Sequence, residues 1–101
     1  MQQIAEKRWP GSDLTVSRMR TPTGWLVMAR HGGAVATAPV PDSRGRWAKH
    51  DAVELEYFDH RPGLYSVHGL KTPNGWAVVT ASFGDRVGVA VTYVPGRSWA
   101  K

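Results

Sequence analysis

The segment Thr21-Pro22-Thr23-Gly24-Trp25 returns 51 positions later as Thr72-Pro73-Asn74-Gly75-Trp76. The correspondence extends to both sides. Pro10-Gly11 answers Pro62-Gly63, Val16 answers Val67, Val27 answers Val78, and Val35-Ala36 answers Val89-Ala90. Further on, Val40-Pro41 answers Val94-Pro95, and Trp47-Ala48-Lys49 answers Trp99-Ala100-Lys101. The offset drifts between 51 and 54, and each change falls at an expected turn. Two copies of one unit that differ only in their loops produce this pattern. The chain therefore reads as a single domain of two repeats, residues 1–49 and 50–101.

Within each copy the pattern is that of strands. Leu14, Val16 and Arg18 alternate with Thr15, Ser17 and Met19, and the Thr-Pro-x-Gly turn leads into a second run starting at Trp25. Gly32-Gly33 closes that run, and the next one contains Pro39 and Pro41, which a long helix does not tolerate. Runs of β-branched and aromatic residues between glycine turns read as hairpins. A strand also precedes each Pro-Gly, over residues 4–9 and 53–60. The latter region has helical propensity too, but Val53, Leu55 and Tyr57 alternate with Glu54 and Glu56 as in a strand. The Thr-Pro-x-Gly turn is expected to be type II-like, with glycine at the position of positive φ.

Two four-strand meanders of this size cannot each bury a core alone and must share one. The expected fold is all-β: an internally duplicated pair of meanders packed as one pseudo-twofold small barrel, because closure removes exposed edges. A two-sheet sandwich is the next solution.

A chain of 101 residues, 42% of them hydrophobic, suffices for one modest core. It has no cysteine, which removes disulfides and thiolate metal sites and suits a reducing, cytoplasmic setting. No apolar run is long enough to cross a membrane as a helix, and the N-terminus does not read as a signal peptide.

Charge separates the copies. The first fifty residues carry eight Lys and Arg against three Asp and Glu, whereas the remainder carries five against five. A basic field confined to one copy favours a polyanionic partner. The expected function is non-enzymatic binding of nucleic acid, DNA or RNA, through the first repeat. The candidate site has Arg18, Arg20, Arg30, Arg44, Arg46 and Lys49 for phosphates, with Trp25 and Trp47 for stacking. The stretch from Ser43 to Lys49 combines three cations, one tryptophan and a glycine, as a phosphate-contacting loop would. Trp9, flanked by Lys7 and Arg8, is expected to cap the barrel or to extend the same surface.

The same Arg and Trp residues would equally anchor a protein partner, giving a small inhibitor or adaptor. A third reading places a small molecule at the interface of the repeats, faced by Trp25 and Trp76. The acidic run 51–59 suggests an edge strand that pairs with the basic copy of a second molecule in a homodimer. His31, His50, His60 and His68 have no counterparts in the other copy, and no spacing among them supplies a zinc site. No Walker loop or dinucleotide fingerprint occurs, and no cofactor is implied. A small ribonuclease using His and Arg is the one enzymatic alternative.

Overall fold

The computed structural model describes residues 1–9, 12–47, 55–85 and 87–96. It contains eight strands and no helix among these residues: β1 (Gln2–Trp9), β2 (Ser12–Thr21), β3 (Gly24–His31), β4 (Ala34–Pro41), β5 (Leu55–Arg61), β6 (Tyr65–Thr72), β7 (Gly75–Ser82) and β8 (Gly88–Pro95). They form two antiparallel four-stranded meanders, β1-β2-β3-β4 and β5-β6-β7-β8.

The two ladders correspond rung by rung. Arg20 pairs with Trp25 and Thr21 with Gly24 in the first sheet, as Lys71 pairs with Trp76 and Thr72 with Gly75 in the second. Trp25 lies opposite Val40 and Trp76 opposite Val94. Even the irregularities match, since β1 bulges at Ile4 and β5 at Phe58. Each bulge comes one residue before the rung that faces Val16 or Val67.

The repeated glycine has a different task from the one expected. Pro22 and Thr23 form the two-residue turn and neither has positive φ, so the turn is not type II. Gly24 stands after it, where a Cβ would run into the Val40 carbonyl oxygen. At Gly75 the obstacle is the equivalent Val94 carbonyl. Glycine recurs because the neighbouring strand crosses its backbone closely.

Each sheet has two faces, named here for residues at equivalent rungs. The tryptophan face carries Trp25 in one sheet and Trp76 in the other, and the threonine face carries Thr21 and Thr72. In the first sheet the tryptophan face turns inward, burying Leu14, Val16, Val27, Ala29 and Val40. In the second sheet the inward face is the other one, with Leu70, Ala77 and Val79 buried and Val89, Val91 and Tyr93 packed beside them. All of these residues belong to a single core. Strand β4 lies closest to β8, while β1 approaches β5 and β3 approaches β7.

This arrangement corrects two expectations. A twofold axis would bring like faces together, whereas here unlike faces meet, so the sheets are stacked head to tail. Nor do they close into a barrel, for no ladder joins β4 to β8 or β1 to β5. Closure would require both outer edges to donate N–H groups, and Pro39, Pro41 and Pro95 have none to offer. The bulges at Ile4 and Phe58 disrupt the other pair of edges.

Candidate anion-binding loop

After β4 the chain turns around the side chain of Asp42, which is buried. One carboxylate oxygen accepts the backbone N–H of Arg46 at 2.8 Å. The other accepts the backbone N–H of Trp47 at 3.0 Å and the indole N–H of Trp25 at 2.9 Å. The Gly45 N–H bonds back to the Asp42 carbonyl at 3.1 Å, and Gly45 takes the left-handed conformation with φ 64°. Successive backbone N–H groups around such a residue make an anion nest. Here the chain fills the nest with its own carboxylate. Burial alone would push the Asp42 carboxyl up. The N–H groups of Trp47, Trp25 and Arg46, together with the charge of Arg20, outweigh it and hold the group below the usual carboxylate range.

Of the expected residues, Arg20, Trp25, Arg44 and Arg46 stand around this anchor. The Arg20 guanidinium sits 3.8 Å from the Asp42 carboxylate and 5.0 Å from the Trp25 ring centre, and its side chain is 50% exposed. Arg44 and Arg46 are exposed on the loop itself. With Asp42, Ser43 and Asn74 they line a small polar cavity of about 150 Å³. Asn74 comes from the β6–β7 turn, so the second sheet supplies one wall.

Other candidates lie elsewhere. Arg18 is only 1% exposed, with its guanidinium 4.1 Å from the Trp25 ring centre and 4.7 Å from that of Trp47. It donates to the Gln2 side chain at 3.1 Å and to the Trp47 carbonyl at 3.4 Å. It belongs to the packing beneath the loop and is not placed to touch a phosphate. Trp47 is 4% exposed and edge-on to Trp25, with ring centres 5.8 Å apart, which leaves it no surface on which a base could stack. Trp25 is half-buried. Arg30 is exposed on the threonine face, on the opposite side of β3 from Trp25. Lys49 lies outside the described residues.

Trp9 is half-buried on the inward face. It packs edge-on against His31 and Phe83 and at a tilt against His68. Both histidines are fully buried between the sheets, with the Nδ1 of His31 donating to the Gly88 carbonyl at 3.3 Å. His68 Nε2 shares a 2.8 Å hydrogen bond with Ser66 Oγ, but Ser66 is fully buried too, so the pair presents no accessible nucleophile. Burial, followed by the charges of Lys7 and His60, lowers the pKa of His68 to about 4. Among the described residues no three His, Asp or Glu side chains converge as metal ligands do. His60 is exposed, and His50 lies outside the described residues.

The acidic run is placed only in part, because residues 51–54 lie outside the described ones. Its remainder, in β5, neighbours the first sheet of its own chain: the Lys7 ammonium stands 4.3 Å from the Tyr57 ring centre. Trp25 and Trp76 do not face one another across the sheets, since Trp76 is on the outward face and packs edge-on against Phe58. A cavity of about 620 Å³ lies on the seam between the two sheets, lined by Thr37–Pro41 of β4, Val91–Tyr93 of β8 and Thr23.

Sequence reasoning overlooked Asp42, although an aspartate after Pro41 and before Ser43-Arg44-Gly45 is a recognisable turn signal. It also overlooked Asn74, which only the fold brings to the loop. No helix is long and apolar enough to cross a membrane among the described residues. Comparison with protein-family models, curated proteins and solved structures finds no match to this chain.

Proposed function

We propose that this protein is a duplicated, non-enzymatic binding module that engages the phosphate backbone of nucleic acid through the loop after β4. One observation carries the reading: Asp42 pins the loop so that Arg44 and Arg46 stand exposed with Asn74 around a polar cavity, while Arg20 holds the Asp42 carboxylate from the strand. Three guanidinium groups against one carboxylate leave a local excess of positive charge suited to phosphate. With Trp47 buried, recognition rests on the backbone rather than on stacked bases, and it is therefore indifferent to sequence. The test is fluorescence anisotropy of labelled single-stranded and duplex DNA and RNA at low and physiological salt. Binding that weakens steeply with salt supports the reading, and no binding at low salt refutes it.

The seam cavity favours a second reading, a small uncharged ligand held between β4 and β8. Its volume falls in the range of small-molecule sites and no charged residue lines it. Thermal shift against a library of neutral compounds tests it: a hit whose stabilisation is abolished by Ala38→Trp supports this site, and a hit unaffected by that change places the ligand elsewhere.

A further inference from the structure

The head-to-tail stacking leaves an unspent pair of faces. Inside the chain, the tryptophan face of the first sheet receives the threonine face of the second. Pointing outward are therefore a threonine face on the first sheet and a tryptophan face on the second. These are the same two kinds of surface that already fit each other.

Several of the apolar positions are kept on both. On the outward threonine face, Met19, Leu26, Met28 and Val35 occupy the rungs held in the second sheet by Leu70, Ala77, Val79 and Val89. Met19 is 46% exposed and Val35 54%. On the outward tryptophan face, the half-buried Val67, Val78 and Val94 occupy the rungs of the buried Val16, Val27 and Val40. Glu6 and Arg8 of β1 lie on the threonine face, and Asp59 and Arg61 of β5 lie on the tryptophan face. Because β1 stands near β5 in the internal interface, repeating that interface brings β5 against the neighbour's β1. The internal contact of Lys7 with Tyr57, repeated there, places Arg61 beside the neighbour's Gln3.

We propose that the chain binds a second copy of itself through these faces, the first sheet of one molecule on the second sheet of the next, continuing the internal stack. A contact between unlike faces does not close on itself, so each added molecule again presents both surfaces. Arg30 occupies the rung of the buried Ala81, which makes the contact between molecules weaker than the internal one and dependent on concentration.

Sedimentation velocity from micromolar to millimolar concentration tests this. The expected result is a mean mass that climbs past the dimer without a plateau. Met28→Glu blocks the threonine face and Val78→Glu the tryptophan face, and each variant alone is expected to remain monomeric. Mixed in equal amounts, they are expected to give a one-to-one heterodimer and nothing larger, because each supplies the face the other lacks. Circular dichroism establishes that the variants fold, and Val35→Lys with Thr80→Lys serve as a second pair if they do not. A wild-type protein that stays monomeric at millimolar concentration overturns the proposal. So does a plateau at the dimer, or a mixture of folded single-face variants that does not pair.

Discussion

Arg18 and Gly69 hold the same rung in the two sheets, and the space one fills with a guanidinium the other leaves to a phenyl ring. Gln2 lies opposite Arg18 as Glu56 lies opposite Gly69. In the first sheet the guanidinium packs on Trp25; in the second, Phe58 covers Gly69 and meets Trp76 edge-on at 5.4 Å. One scaffold thus supports its repeated tryptophan in two chemically different ways.

That exchange predicts non-additive stability changes. Gly69→Ala drives a methyl group into the Phe58 ring and is expected to cost about 1–3 kcal/mol. In a Phe58→Ala background the same substitution is expected to cost almost nothing. Arg18→Ala, which removes the packed guanidinium from beneath the loop, is expected to cost about 2–4 kcal/mol. Urea unfolding of the single and double variants measures all three.

Asp42→Asn retains the shape of the side chain but weakens acceptance from three N–H donors, and is expected to destabilise the fold by about 1–3 kcal/mol. Because the folded-state pKa of Asp42 lies below its unfolded value, its stabilisation is present above about pH 4 and is lost as pH falls through the folded value. The difference in unfolding free energy between wild type and Asp42→Asn is therefore expected to shrink in that acidic window.

His68 imposes a separate pH dependence. Its pKa falls from about 6.5 in the unfolded chain to about 4 in the fold, so the folded state favours the neutral ring. Stability should be constant in this respect above pH 6.5 and decline as pH drops toward 4, by up to about 1.4 kcal/mol per pH unit. In His68→Gln this decline is expected to disappear. Urea midpoints from pH 4 to 7.5 give the comparison.

Binding should separate the two groups of arginines. Arg44→Ala with Arg46→Ala is expected to weaken binding equally across sequences and to flatten the log–log salt slope by roughly 1.5 to 2. Arg30→Ala, on the far side of β3, is expected to leave both quantities unchanged. Anisotropy titrations at several salt concentrations distinguish the outcomes.

The strands and their pairing were largely legible because a period of two, punctuated by the repeated turn, marks each segment of the meander. Which face turns inward was not. Trp76 and Ala77 are adjacent and both buried, so alternation alone cannot choose between them. The choice depends on contacts between the two sheets, and those have no local signature. The burial of Arg18 was hidden for a related reason. It continues the inward alternation of Leu14 and Val16, but composition marks an arginine as surface until Trp25 and Trp47 are seen on its guanidinium. The exposed loop cations could be read directly, whereas the carboxylate that organises them was visible only as a turn residue.

The self-filled nest at Asp42 bears on the speed of recognition. Its N–H groups already have an acceptor, so the loop keeps its shape in the unbound molecule and an arriving partner need not order it. Encounter then becomes a matter of diffusion and long-range attraction, and changes in ionic strength should act on the association rate more than on the lifetime of the complex.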